Sequence, residues 1–416
     1  MVMKLKAIEL FAGLGAMRLG LMQAFNEQNI SVDIIETYEI KSAAIKQLKY
    51  FFKEDDIKDI YDFDYSKPKP FDILLAGFPC QPFSKAGLQK GFDDFRGNFI
   101  YEIIKILIHS KPRFFILENV DSLLTHNNGE TFLTIIQLLT ELNYNIDYKV
   151  LNLKDFNVPQ SRKRLFIVGD FKSKILIEKN VINADIVFNN IKENVPELNS
   201  QYENLKFNTI IKKHYKNISS LQGKYLNDKR GGDKNIHSWD IDLYGITTPR
   251  QKNILTTILQ ERRKRIYASE LNIPWKDGLP MTKSQIQRHF NDFNILDDLN
   301  ELENLKYIKK SLLKPPNLFG YSILTGRLNF PFSYFIDNDG ISNTLTATEM
   351  GKIGVYDNNR FRKISIREGL RLFGFPENYI MNPEIKLSSC YDLLGNSLGV
   401  PIIKHLSKSL IKNLTN

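Results

Sequence analysis

The sequence predicts an α/β fold: a doubly wound, mostly parallel sheet with a second, smaller domain following it in the chain. Three observations carry this. Short apolar strands alternate with amphipathic helices up to about residue 172. The alternation then stops in favour of a stretch rich in Asn, Lys and Asp, and compact patterning resumes from 346. Strands separated by helices favour crossover units, and hence a parallel sheet covered on both faces.

The elements follow in order. "KAIELFAG" predicts a strand ending in glycine, and residues 15–26 a helix. "VDIIETYE" is a second strand, followed by the helical "KSAAIKQLKYFF". "FDILLAG" is a third strand, "NFIYEIIKILIHS" a helix and "RFFILENV" a fourth strand. In "ETFLTIIQLLTELN" apolar residues recur at Phe132, Ile135, Leu139 and Leu142, the spacing of one helix face. "IDYKVLNL" and "RLFIVGD" complete the block as strands. Within 173–345, "TTPRQKNILTTILQERRKRIYASELNIPW" reads as one long basic helix, "MTKSQIQRHF" follows, and "NILDDLNELENLKYIKK" is a third helix. Three such helices would suit a winged-helix-like insertion. The plainer expectation, adopted here, is a helical insertion with a solvated charged face. The closing "VPIIKHLSKSLIKNL" is apolar at Ile403, Leu406, Leu410 and Leu414, a helix suited to pack back on the first domain.

Composition narrows the function. Lys and Arg outnumber Asp and Glu by 57 to 47, a net charge of +10, which suits a polyanionic partner bound through phosphate neutralisation. Two cysteines and six histidines are too few and too scattered for a structural zinc site, so no metal is expected. No segment approaches the roughly 20 apolar residues of a membrane span, and the start lacks a signal-type apolar run, which predicts a cytoplasmic protein without membrane association.

In open parallel sheets, ligands gather outside the carboxyl ends of the strands. Four candidates fall there on separate strands: the "FAGLGA" loop, Glu39, Cys80 and Glu118. Gly13 and Gly15 let the backbone approach a ligand, and Glu39 stands where an acid commonly binds ribose hydroxyls. These residues suggest an adenosine-containing cofactor and alone fit NAD as well. Cys80, in "GFPCQPFS", is either a small apolar plug or a positioned nucleophile. Glu118 either caps a turn or is a desolvated acid with a raised pKa. Arg162 and Arg164, two apart in "QSRKR", share a strand face. They are solvated edge residues or guanidiniums fixed on a phosphate or carbonyl oxygen.

Assembled in this order, "FAGLGA", "ETYEI", "DDI", "GFPCQPFS", "ENV", "QSRKR", "FRKISIREGLRLFGFPENY" and "GNS" resemble the DNA (cytosine-5) methyltransferases of bacterial restriction–modification systems. The resemblance covers about 1–170 and 340–416. It implies a Rossmann-like S-adenosylmethionine-dependent methyltransferase with a catalytic and cofactor-binding domain over 1–172. A target-recognition domain over 173–345 and a segment over 346–416 that returns to complete the first would follow. It implies that the Cys80 thiolate adds to carbon 6 of a flipped cytosine, activating carbon 5 for methylation. Glu118 would hold ring nitrogen 3 and the exocyclic amine. Arg164 would fix the carbonyl oxygen, and Arg162 would orient Cys80 or a phosphate. Cofactor contacts are implied at Phe11, Gly13, Leu14, Gly15, Glu39, Ile40, Asp56, Ile57, Phe99, Asn396 and Ser397. DNA contacts are implied at Gln81, Ser84, Arg96 and Gln160. The stretch after Cys80, residues 84–98, resembles a mobile loop closing over the base, and "SNTLTAT" (342–348) the motif ending the recognition region. The sequence departs from the pattern at Ala16, Ile40 and Lys41. Cys390 is given no catalytic role.

The implied partner is double-stranded DNA, for a chain that is monomeric and functionally paired with a restriction endonuclease. A tRNA-directed branch shares these motifs, but the large separate region favours DNA. A catalytically dead DNA-binding regulator is disfavoured because Cys80, Glu118, Arg162 and Arg164 are all present.

Overall fold

A computed structural model describes residues 3–79, 99–178, 185–193, 202–291, 295–314, 317–324 and 330–415. The chain forms two compact units. One comprises Met1–Asn194, Asp339–Gly351 and Ser365–Asn416; the other comprises Val195–Asn338 and Lys352–Ile364. The division thus falls some twenty residues later than the composition change at 172, and Lys352–Ile364 leaves the returning segment for the second unit.

The first unit is built on strands β1 (Lys4–Leu10), β2 (Ser31–Tyr38), β3 (Ile57–Lys58), β4 (Ile73–Gly77), β5 (Phe114–Val120), β6 (Asn145–Asn152) and β7 (Lys163–Asp170). Helices α1 (Ala16–Asn26), α2 (Ser42–Phe52), α3 (Phe99–Ser110) and α4 (Glu130–Glu141) connect them. The strand order is β3-β2-β1-β4-β5-β7-β6, parallel except for β7, which runs against both neighbours. This is the doubly wound, mostly parallel sheet expected. Only the two-residue β3 is absent from the sequence reading, being too short to show a period. Central strands are buried on both faces: Ile73 to Ala76 and Phe114 to Leu117 have no exposed surface, as continuous apolar runs in parallel sheets require.

The order reverses between β1 and β4, because β2 and β3 extend the sheet one way and β4 onward the other. Such a reversal leaves a crevice at the strands' carboxyl ends. The last helix, Val400–Thr415, packs on α1 at close range: a Cβ on Gly20 would lie 2.6 Å from Ile403 Cβ and from the Val400 carbonyl. Beneath the first loop, a buried network ties β1 to α1. Arg18 donates from Nε to Glu9, from Nη1 to Glu54 (2.6 Å) and from Nη2 to Thr37 Oγ1 (2.6 Å).

The second unit has two cores. In one, Phe207, Ile211, Phe332, Phe335 and Phe361 pack behind a five-stranded sheet. The other corrects the sequence reading in three places. The basic stretch is two helices, Pro249–Glu261 and Ile266–Glu270, because Arg262 at the break is buried and donates to the Lys229 carbonyl (3.2 Å) while Tyr267 and Ala268 turn into the core. Met281–Thr282 is a strand ahead of a short helix, Lys283–Gln287. The third helix stops at Asn304. Lys306 takes a left-handed conformation (φ 64°), and Ile308–Leu313 pairs antiparallel with Leu318–Ile323. Counting the short Ile266–Glu270 helix with the one before it, the order helix, strand, helix, helix, strand, strand, with the last strand central in a three-stranded sheet, is a winged-helix arrangement rather than a plain helical insertion. Strand pairing between 308 and 323 creates it, and periodicity does not report pairing.

Candidate active site

At the carboxyl ends of β1, β2, β4 and β5 lies a cavity of about 750 Å3. From β1 come Phe11, Ala12, Gly13 and Leu14, and from β2 come Tyr38, Glu39 and Ile40. Phe11 has φ 56°, a left-handed conformation that costs a non-glycine residue energy and tends to mark functional loops. Its ring meets Phe99 edge to face at 5.0 Å, so the two form an aromatic wall. The Glu39 carboxylate accepts hydrogen bonds from the backbone N–H groups of Gly13 (2.8 Å), Ile40 (2.9 Å) and Lys41 (2.8 Å). Of about four lone-pair sites on an ionised carboxylate, one remains for a ligand.

The opposite side is charged. Glu118, at the end of β5, is 7% exposed, and Arg164 on the adjacent β7 approaches it with Nε 3.2 Å from Oε1. Burial pushes the Glu118 carboxyl up to about 7, against the pull of Arg164 and Arg162. Arg162 is buried, lies over the Phe373 ring, and donates to the carbonyls of Leu345 (2.8 Å) and Gly395 (3.2 Å). Burial pushes its guanidinium down to about 9, and its Nε has no partner among the described residues. The antiparallel pairing of β5 with β7, which sets Val120 opposite Arg164, brings these distant residues to one edge. Asn396 and Ser397 line the same cavity, as do Thr346 and Ala347 of "SNTLTAT".

The residue pattern matches the family described as C-5 cytosine-specific DNA methylase over residues 5–412. The chain belongs to that family. It is similar to Type II methyltransferase M.NlaIV of Neisseria lactamica (39% identity, covering 99% of this chain and 100% of the relative). It is also similar to Type II methyltransferase M.BanI of Aneurinibacillus aneurinilyticus (34%, covering 100% and 97%). Among solved structures it resembles the Entamoeba histolytica methyltransferase EhMeth with a TM-score of 0.51 at 17% identity, over 99% of both chains, a likeness of fold. The chain is thus a DNA cytosine-5 methyltransferase of the restriction–modification type.

The methyltransferase's cavity collects Phe11, Gly13, Leu14, Glu39, Ile40, Phe99, Glu118, Arg162, Arg164, Asn396 and Ser397, and it omits several expected residues. Asp56 and Ile57 do not line it. The turn just after β3 does, with Asp59, Ile60 and Tyr61, because β3 runs parallel to β2 with Lys58 opposite Tyr38, so the chain reaches the carboxyl edge only beyond Lys58. Asp56 instead lies 3.6 Å from Lys58 Nζ. Gly15 shapes the loop from behind: its φ is 73°, and a Cβ there would lie 2.5 Å from the Phe52 ring. Gln160, expected at DNA, is fully buried and donates to the Leu372 carbonyl (2.6 Å), so it holds the returning segment in place. Lys41 pairs with Asp392 at the cavity's edge. Cys80, Gln81, Ser84 and Arg96, with the 84–98 loop, lie outside the described residues. The preceding Phe78 and Pro79 line the cavity.

Sequence reasoning missed Asn119. Its side-chain amide donates to the Phe78 carbonyl (3.0 Å), clamping the backbone two residues before Cys80. Its place beside Glu118 in "ENV" was the available signal. Among the described residues no group of three or more His, Cys, Asp or Glu could hold a metal ion, and no helix is long and apolar enough to cross a membrane.

Proposed function

We propose that this enzyme methylates carbon 5 of a flipped cytosine in a specific duplex sequence, using Cys80 as nucleophile and Glu118 as the acid that engages the base. The observation that carries the reading is the pairing of buried Glu118 with half-buried Arg164, facing the Phe11–Leu14 loop and Glu39 across one cavity. The cavity suits S-adenosylmethionine. It has an aromatic wall of Phe11 and Phe99, an apolar edge at Ile40, and a carboxylate, Glu39, with one acceptor site left for a ribose hydroxyl. When bound, S-adenosylmethionine supplies a methyl group on a sulfonium centre.

The chain's own residues do the rest. Base flipping brings the cytosine out of the stack. The Cys80 thiolate forms a bond from sulfur to carbon 6, and the ring's electron pair becomes available at carbon 5. Protonated Glu118 donates to ring nitrogen 3, which offsets the negative charge that builds as sulfur adds. Arg164 directs its remaining N–H groups to the carbonyl oxygen. Arg162, with a free Nε, orients the thiolate or the flanking phosphate. Asn119 keeps the cysteine turn in register through Phe78. After methylation the carbon 5 proton leaves to water, and the sulfur–carbon 6 bond breaks. Val195–Asn338, with Lys352–Ile364, is the part we assign to target recognition. The product protects DNA from an endonuclease cutting the same sequence.

The decisive test is transfer of labelled methyl from S-adenosylmethionine to unmethylated DNA and to tRNA, by the wild type and by Cys80→Ser. Wild-type transfer to DNA alone, lost in Cys80→Ser, is expected. Transfer to tRNA alone would remove the DNA reading, and an active Cys80→Ser protein would remove the mechanism. DNA carrying 5-fluorocytosine should trap a stable adduct, because fluorine cannot leave carbon 5 as a cation. Turnover of normal DNA without a trapped adduct argues against covalent addition.

A further inference from the structure

Winged-helix modules commonly meet DNA through the third helix or through the hairpin, and here charge separates the two. The third helix, Leu296–Asn304, reads LDDLNELEN. It has four carboxylates and no cation, and its exposed positions are Leu296, Asp297, Asn300, Glu301 and Asn304. Asp298 and Glu301 are already engaged by Arg250 (2.8 Å) and Gln251 (2.7 Å) of the first helix. Such a face repels phosphates.

The hairpin is the opposite. From Lys306 to Phe319 the chain carries four lysines and no carboxylate. Lys309, Lys310 and Lys314 form no ion pair among the described residues. Its inner half belongs to the module's core, with Ile308, Tyr321 and Ile323 buried. Its outer half projects beyond that core: Leu312 is 43% exposed, Leu318 47% and Phe319 55%. Lys310 Nζ lies 4.5 Å from the centre of the Phe319 ring, so charge and apolar surface are presented together. Lysines on an edge strand also guard against aggregation. That role does not account for three exposed apolar residues beside them, which would promote the pairing that lysines prevent.

We propose that this hairpin is the winged-helix module's DNA-contacting element. Lys309 and Lys310 neutralise phosphates, Phe319 and Leu312 lie against the groove wall, and the third helix stays off the duplex. This rests on the DNA reading above. It supplies a contact by which the second unit binds duplex DNA separately from the flipped base.

The test uses the full chain and mixed-sequence duplex DNA. Lys309→Ala with Lys310→Ala should weaken binding roughly tenfold at moderate salt and flatten the plot of log affinity against log salt by about one to two, one increment per lost phosphate contact. Phe319→Ala should weaken binding with an unchanged salt slope, and Asn300→Ala on the third helix should leave both unchanged. In methyl transfer to unmethylated bacterial DNA, the lysine variant should raise KM and spare kcat. Replacement of both residues by arginine should restore affinity, which separates loss of charge from loss of fold. Wild-type affinity and slope in the lysine variant, or a loss confined to Asn300→Ala, overturns the proposal. If wild type methylates DNA while the hairpin variants match it, the inference alone falls; if wild type neither binds nor methylates DNA, the functional reading falls with it.

Discussion

In the proposed mechanism Glu118 is the group that titrates. Its carboxyl is raised from an ordinary 4.5 to about 7 by burial, so the folded protein keeps a proton that the unfolded chain releases. The stability linked to this group is therefore complete below the ordinary carboxylate range and is lost as pH rises through about 7. A shift of this size corresponds to about 3 kcal/mol. Glu118→Gln should therefore gain on the wild type in denaturant unfolding as pH rises from 5 to 8; parallel curves would contradict the raised pKa. In turnover, kcat should fall above about pH 7 as the donor proton is lost. Glu118→Gln should be slower by about a hundredfold or more and lack that limb. The sequence names Glu118 as a candidate through its apolar strand. Whether it is solvated or desolvated is decided by the strands on either side.

At the scale of elements, two clamps hold the site's loops. The Arg18 network joins β1, α1 and β2 under the Phe11–Leu14 loop, with all three partners buried or half-buried. Arg18→Ala leaves Glu9 enclosed without its cation, which should cost about 3–5 kcal/mol. A lower denaturation midpoint with an unchanged slope is the expected signature. Asn119→Ala should instead act on catalysis. It frees the Phe78 carbonyl and loosens the turn ahead of Cys80, so kcat falls while the thermal midpoint shifts by only a few degrees. A variant as stable and as fast as wild type would show that the clamp does not position the nucleophile. Apart from the two-residue β3, the strands and helices of the first unit are legible in sequence because the helices carry periodic apolar faces and the central strands continuous apolar runs. The basic stretch at 247–275 is not, because a buried Arg262 and an inward Tyr267 break it at a place where helix propensity gives no warning.

At the scale of the molecule, two units have separate cores. Ligand binding to the native state stabilises by about 2.7 kcal/mol when the ligand is present at a hundred times its dissociation constant. S-adenosylmethionine should therefore raise the unfolding temperature of the unit holding the cavity, and Glu39→Ala should remove most of the shift. Calorimetry resolving two transitions should find only one displaced. Equal displacement in the Glu39→Ala protein would take the cofactor out of this cavity.

The sequence by itself determines the alternating sheet, the motif order that marks the family, and the candidates Glu39, Glu118, Arg162 and Arg164. These rest on local patterning and on residue types that chemistry restricts. Tertiary structure alone decides which candidates meet. It puts Asp59 to Tyr61 at the pocket in place of Asp56 and Ile57, and it encloses Gln160 where a DNA contact was expected. It also turns "YIKK" and its partner strand into a lysine-rich hairpin. Each of these depends on how far the chain travels before it bends back and on which strand it finds there, and that information is carried by pairs of segments far apart in the chain.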